Sequence, residues 1–306
     1  MDSKFKKPKG FGEILDHTFS LSKKRFKDFF MIFLILLGPV YLLEAIIQLV
    51  SGTSFFRESG SGGGFEQLLA NFNESQTIDS SSLSSDLGLI VTGLLGFLLF
   101  PVAEAAILFA INHIRKNEDF TVGLVIKQGF SRFWRMLGSN LFFGVIAFGI
   151  MIIPIIIVSF TGVFGSFVNP ILGIGLAVVL FLGFAIGIGL LFTRWSFYFA
   201  LVVLEKDSPT SGIARSWRLT RKRTWLLMGL YIVFYMIISS ISFAGQMTFG
   251  ILLGNSVLLS IITNIISLFT TMFFSVGYGV MYLDLKIRHD ADDLKDLIDD
   301  YNKTTL

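Results

Sequence analysis

The chain of 306 residues has no cysteine, only three histidines and six prolines, and just 15% charged residues. Without cysteine there is no disulfide, no thiolate nucleophile and no Cys-based metal site, and the redox state of the compartment leaves no mark. His17, His113 and His289 stand apart without ligand spacing, so no metal is expected. No phosphate-binding glycine loop, Ser-His-Asp set, HExxH or paired-carboxylate site is present, and no nucleophile and base come together in the sequence. The expectation is therefore a protein without cofactor and without enzymatic activity. A soluble domain carries about 25% charge, and this chain falls well short of it.

What fills the gap is apolar. Hydrophobic residues make up 53%, with 34 Phe and 30 Gly, and the mean hydropathy is +0.72. Six apolar runs, 29–51, 87–112, 137–160, 171–204, 225–250 and 258–285, are each long enough to cross hydrocarbon, which takes about 20 helical residues. In lipid these must be helices, because backbone polar groups there find partners only within the segment. The expected fold is an all-α integral membrane protein of six transmembrane helices. The first run starts at Phe29, too long for a signal peptide and with no small-residue cleavage site behind it, and reads as an uncleaved span.

Lys and Arg divide sharply between the two sides. Twenty-three of the 25 lie before Phe29, between 114 and 136, between 205 and 224, or after 285, leaving Arg57 and Arg194. By the positive-inside rule that side is cytoplasmic, so both termini are expected inside. The net charge of +3 then reflects topology and attraction to anionic lipid headgroups, and no nucleic-acid partner is expected. The chain divides into a cytoplasmic interfacial helix at 1–28, a membrane domain at 29–285 and an acidic tail at 286–306. Residues 52–86, with runs SGSGGG and SSSLSS, read as a flexible outer loop. Within it Phe65, Leu68, Leu69 and Phe72 have helical spacing, and Asn73-Glu74-Ser75 fits a glycosylation sequon. In the tail, Leu294, Leu297, Ile298 and Tyr301 run beside a row of Asp residues and predict a short acidic amphipathic helix.

A repeat organises the spans. Before the first, third and fifth stands a basic segment with an apolar stripe at helical spacing. The stripes are Phe11, Leu15, Thr18/Phe19, Ser22 and Phe26; then Val122, Ile126, Phe130, Phe133 and Leu137; then Ile213, Trp217 and Leu227. Such helices lie in the interface with cations near lipid phosphates. The spans then form three hairpin units of one orientation, each entered through an interfacial helix, an arrangement shared by some transporters and some scaffolds. Gly183 to Gly187 and Gly250 to Gly254 are spaced for close helix contact.

Charges in hydrocarbon are costly and mark sites by default. Glu44, Glu104 and Arg194 qualify. At about 1.5 Å per residue, Glu104 and Arg194 lie roughly 14 and 16 Å from the basic ends of their spans. Matching depth makes them a candidate intramembrane pair, either a structural bridge or part of a binding site. Arg194 beside Trp195 also suits snorkelling to the interface. Glu44 lies nearer the outer leaflet with no cation at its depth, which points to a protonated or water-contacting carboxyl. Pro39, Pro101 and Pro154 interrupt their spans and are expected to kink them.

Three stretches, FGEILDHTFSLSKKRFKDFF, RWSFYFALVVLEKDSPTSGIARSWRLTRKRTWLLMG and YLDLKIRHDADDL, resemble the bacterial membrane-domain family that includes the membrane part of glycerophosphoryl diester phosphodiesterases. That family has many stand-alone members of unassigned function. The resemblance implies an inner-face cluster in which Glu205 and Asp284 pair with Arg215, Arg218 and Arg288. It also implies a bacterial cytoplasmic membrane. Catalysis in such relatives belongs to a separate soluble barrel, for which this chain has no room. The expected role is binding or helping to move an amphiphilic compound, such as a lipid, a glycerophosphodiester or a hydrophobic peptide, with peptide resistance as one use. The alternative is an accessory subunit docking on another membrane protein or on a second copy of itself.

Overall fold

The computed structural model describes residues 8–57 and 83–304, with the side chains of 83–87, 168 and 290–304 outside the description. Every regular element among the described residues is helical. In order they are α1 (Phe11–Lys24), α2 (Phe26–Val50), α3 (Leu83–Lys116), α4 (Val122–Phe130), α5 (Phe133–Val168) and α6 (Pro170–Trp195). A turn at Tyr198–Ala200 then runs into a π-helix, Leu201–Glu205, followed by α7 (Pro209–Thr220), α8 (Thr224–Leu253) and α9 (Val257–Thr304). Six stretches are long and apolar enough to cross a membrane: Phe26–Val50, Gly88–Lys116, Phe133–Phe167, Pro170–Glu205, Thr224–Leu253 and Val257–His289.

The chain folds into two compact units, Met1–Ser131 with Ile232–Val280, and Arg132–Tyr231 with Met281–Leu306. In the first, Phe29, Ile32 and Phe33 of α2 are fully buried, and so is most of the alanine-rich stretch Val102–Ile111 of α3. Small side chains there let helices approach closely. A Cβ on Gly129 of α4 would lie 3.0 Å from the Val102 carbonyl, and one on Gly277 of α9 would lie 2.6 Å from the Phe234 ring. The beginning of the expected outer loop is tied down: the carbonyls of Ser54 and Phe55 accept from the amides of Val257 and Leu258 at 3.1 and 3.2 Å. Those amides open α9 and have no partner within it. Arg57 donates to the Ile251 carbonyl at 3.2 Å. The stripe at 65–72 and the Asn73 sequon lie outside the described residues.

The second unit contains the α5–α6 hairpin. None of the most apolar part of the third span is buried by protein, and Phe148, Ile153, Ile156, Phe160 and Phe167 are all exposed. A surface this apolar needs hydrocarbon as its solvent. The third run was expected to end at residue 160, but α5 continues to Val168. The continuation TGVFGSFV is rich in small residues because it packs tightly on α6, where the backbones of Gly165 and Gly173 meet. Asn169 makes the turn, its Oδ1 accepting from the amides of Ile171 and Leu172 at 3.0 and 3.2 Å. Pro170, which has no amide to satisfy, follows it at the first helical position.

Two features differ from expectation. Gly183 and Gly187 face open space, and Gly254, at φ +58°, turns the chain between α8 and α9. The tail is the continuation of α9, whose backbone is helical to Thr304; the tail's Asp side chains lie outside the described residues. Pro39, Pro101 and Pro154 lie inside helices α2, α3 and α5.

On the three short helices the large aromatics of the stripes are not what protein covers, although Thr18 and Ser22 of the first stripe are covered. Protein covers Ile14, Thr18 and Ser22 of α1, Val125 and Gly129 of α4, and Gly212, Ser216 and Thr220 of α7. The neighbouring Phe11, Phe19, Phe130 and Trp217 remain exposed. An arginine stands just before the span each time, at Arg25, Arg132 and Arg223. Counted from it, the residues seven before (Thr18, Val125, Ser216), three before (Ser22, Gly129, Thr220), four after (Phe29, Met136, Leu227) and seven after (Ile32, Ser139, Leu230) are buried at every junction.

A Cβ at Gly173 would lie 2.3 Å from the backbone carbon of Gly165, and backbone cannot yield cheaply. Gly173→Ala is expected to cost about 1–3 kcal/mol, read as a lower thermal midpoint in detergent. Gly175→Ala, which meets nothing within 4 Å, is the control and should leave the midpoint unchanged or slightly raised.

Candidate functional site

Helix α6 stops at Trp195 although its apolar stretch runs on to Glu205. The break takes the Arg194 carbonyl and the Phe197 amide out of the regular helical ladder, and an unmet backbone group away from water is expensive. Ser216 of α7 answers both: its Oγ accepts from the Phe197 amide at 3.1 Å and donates to the Arg194 carbonyl at 2.7 Å. Thr220 donates to the same carbonyl at 3.3 Å. Gly212 completes this face of α7, where an added Cβ would touch the Tyr198 carbonyl at 3.4 Å.

Beyond the break, the π-helix ends at Lys206 in the left-handed conformation, φ +64°. Two arginines from the start of α5 cover its end: Arg132 donates to the Val203 carbonyl at 3.1 Å and Arg135 to the Lys206 carbonyl at 3.4 Å. Cations at a helix C-terminus meet the negative end of its dipole.

Glu205 is a hub. It accepts from the Tyr282 hydroxyl at 2.7 Å, Lys286 Nζ at 2.6 Å and Arg215 Nη2 at 2.5 Å. Arg215 also reaches Asp207 at 2.9 Å. Burial acts to lower the Arg215 pKa, but the hydrogen bonds and charges of Glu205 and Asp207 prevail and hold it above its ordinary value. Glu205 and Arg215 of the expected inner-face cluster are thus together. Asp284 and Arg288, also of that cluster, pair along α9 at 2.9 Å, and Arg218 is exposed with no ion pair among the described residues. Asp207, Tyr282 and Lys286 were not anticipated; only their nearness to Glu205 and Asp284 in the sequence hinted at them.

The same break builds a cleft of about 740 Å³ lined by Arg194, Trp217, Arg221, Lys222, Arg223 and Trp225, with Leu190, Leu191 and Leu226 forming its apolar wall. Arg194 lies with its guanidinium carbon 4.3 Å from the centre of the Trp217 ring, and its Nε donates to Thr224 at 3.3 Å. The aromatic partner is therefore Trp217, not its neighbour Trp195, which packs edge-on against Phe143. Arg194 makes no ion pair among the described residues, and neither does Glu104, which lies on α3 beside the fully buried Ala103 and Ala105.

Glu44, in the first unit, has partners the sequence did not announce. Asn264 of α9 donates to its Oε2 at 3.1 Å, and Gln48, one turn along α2, donates to Oε1 at 3.3 Å. Both oxygens accept from amide groups, so the carboxyl is held by hydrogen bonds where no cation was expected. The first unit also has a smaller groove of about 320 Å³, lined by Phe19, Ser22, Lys23, Phe26, Ile237, Ile241, Phe269, Met272 and Phe273. Counted from the junction arginines, Phe19 corresponds to Trp217 and Lys23 to Arg221.

An all-helical chain with six stretches able to cross a membrane, exposed apolar faces and polar groups paired inside its spans fits the class of multi-pass membrane proteins. Residues 31–284 match the model of a family described as a domain of unknown function (DUF7847), and the chain belongs to that family. No curated protein and no solved structure matches it. The match gives no link to the membrane part of glycerophosphoryl diester phosphodiesterases, so the resemblance read in the sequence narrows to membership of a family without assigned function.

Replacing Glu205 by Gln should cost about 2 kcal/mol by leaving Lys286 and Arg215 without their shared anion, and Tyr282→Phe about 1 kcal/mol for one hydrogen bond. Chemical denaturation in detergent micelles reads both, and equal costs would argue against a charged hub. For Glu44, a double-mutant cycle of Glu44→Gln with Asn264→Leu should give a coupling of about 0.6–1.7 kcal/mol, the range of hydrogen bonds between membrane helices.

Proposed function

We propose that this chain is a non-enzymatic multi-pass protein of the bacterial cytoplasmic membrane that binds, or helps to move, an amphiphilic compound through the α6–α7–α8 cleft. In this reading both termini are cytoplasmic and α1, α4 and α7 lie in the inner interface. The six spans form three hairpin units of one orientation. The distribution of Lys and Arg supports the orientation. The common register of burial about Arg25, Arg132 and Arg223 supports the repeat. So do the exposed Phe11, Phe19, Phe130 and Trp217, which suit helices resting on lipid.

The single observation that carries the function is the composition of the cleft. Four cations and two tryptophans stand against a leucine wall, which is the pattern of an amphiphile site, polar at one end and apolar at the other. The accessory-subunit reading would use the exposed basic side for a protein partner and leave the cleft idle.

The test is titration of the purified protein in lipid nanodiscs with a fluorescent amphiphile, comparing wild type with R221Q/K222Q. A loss of about tenfold in affinity is expected if the two outer cations each contribute on the order of 1 kcal/mol. A folded variant that binds as tightly as wild type overturns the cleft as the site. Crosslinking in cells that captures a stoichiometric membrane partner, together with unchanged amphiphile binding, would favour the accessory role.

A further inference from the structure

The small groove of the first unit is built like the basic cleft of the second. Counted from Arg25 and Arg223, Phe19 takes the place of Trp217, Ser22 of Thr220, Lys23 of Arg221 and Phe26 of Thr224. The wall helices agree as well: residues 197–203 and 276–282 are buried without exception, and in that register Phe273 answers to Arg194 and Phe269 to Leu190. Where the Arg194 guanidinium lies 4.3 Å from the centre of the Trp217 ring, the Phe273 and Phe19 rings lie 4.6 Å apart. The ring of Phe26 lies 6.0 Å from that of Phe269. One consequence is chemical. Thr220 donates to the Arg194 carbonyl, which is released where α6 breaks, whereas α9 runs on as one helix and offers Ser22 no such group. Ser22 Oγ accordingly has no hydrogen-bond partner although the residue is only 6% exposed, and a buried hydroxyl left unmet is costly.

We infer that this groove is a second binding site and that its ligand is a single-chain fatty acid. The chain lies among Phe19, Phe26, Phe269 and Phe273, and the carboxylate takes the Ser22 hydroxyl and the Lys23 ammonium. The site is separate from the α6–α7–α8 cleft and does not depend on what that cleft binds. Size and lining select the class. A groove of about 320 Å³ is at the low end for ligand sites, which suits one hydrocarbon chain rather than two. Its walls are aromatic and aliphatic apart from Ser22 and Lys23, so the body of the ligand is hydrocarbon. One cation stands here in place of the four in the basic cleft, which matches a head of single charge. A carboxylate brings two oxygens to one hydroxyl and one ammonium. An ammonium has three donors, so Lys23 can meet the ligand alongside any contact it makes with protein. Phe11 and Phe19 are exposed on α1, which sets the mouth of the groove at the interface, where the head of a fatty acid resides.

The test places the full chain in phosphatidylcholine nanodiscs, one copy per disc, and irradiates it with a fatty acid carrying a diazirine midway along its chain. The alcohol of equal length and a phosphatidylcholine bearing the same chain serve as comparisons, and mass spectrometry locates the label. Saturable labelling of α1 and of the Phe269–Phe273 segment by the acid is expected, with an affinity about tenfold above that of the alcohol. K23Q and S22A should each lower that affinity by about threefold to tenfold, the loss of one hydrogen bond to a charged group. Because the Ser22 hydroxyl has no partner in the protein, S22A should leave the thermal midpoint unchanged or raised, which separates lost binding from lost folding. I241W, which sets a larger ring into the groove from an exposed position, should abolish the saturable label. Equal labelling by acid and alcohol, or affinity unmoved by K23Q and S22A, overturns the carboxylate. Labelling that rises in proportion to the probe and is equal for the phosphatidylcholine means bulk lipid wets the groove, and overturns the site. Labelling that falls when two copies share a disc assigns the groove to a second copy and overturns the fatty acid. Occupation of the α6–α7–α8 cleft is read from label on its own residues, so either site can fail without the other.

Discussion

The architecture depends most on how one interruption in a membrane helix is made good. Where α6 ends at Trp195, the Arg194 carbonyl and the Phe197 amide leave the helical ladder in surroundings poor in water. A single serine hydroxyl, which both accepts and donates, meets them together. That requirement brings the Gly212–Ser216–Thr220 face of α7 against the break and turns Trp217 outward. Trp217 in turn lies under Arg194, and the residues that follow α7 complete a basic cleft. One satisfied pair of backbone groups therefore positions a helix, an aromatic platform and a charged rim.

The short helices share a division of labour. Each buries a narrow face of small or modest side chains and leaves large aromatics beside it uncovered. Small residues suit close backbone approach, while the larger ones lose nothing by facing an apolar solvent. Around the three junction arginines the same positions are buried in the same order, although the residues differ: Thr18, Val125 and Ser216 share one position, and Phe29, Met136 and Leu227 another. Size and polarity vary within the register. The two clefts reflect that variation, since Lys23 is the sole cation of one while Arg194, Arg221, Lys222 and Arg223 line the other.

Much of this was readable in the sequence because hydrocarbon is an unforgiving solvent. Run length and the scarcity of charge predict six spans, and the described helices provide six stretches of that kind. The stripes before the first, third and fifth spans indicated short helices there, and helices occur at all three places. The largest residues of those stripes, Phe11, Phe19, Phe130 and Trp217, are not the ones that protein covers, because in lipid the largest apolar side chains need not be the ones that face protein. Spacing alone also misjudged Gly183 and Gly187, whereas Gly165 and Gly173, eight residues apart across a turn, make the contact.

Composition, run length and the distribution of charge, taken from the sequence by themselves, determined a chain built for a bilayer and singled out Glu44, Glu104 and Arg194 as groups needing explanation, to which the family resemblance added Glu205. Only the tertiary structure decided their partners: Asn264 and Gln48 for Glu44, Trp217 and Thr224 for Arg194, and Arg215, Lys286 and Tyr282 for Glu205. The physical reason is that burial cost belongs to a residue and its span, so sequence reveals it. The compensation is a matter of distance and direction, which composition and run length do not carry.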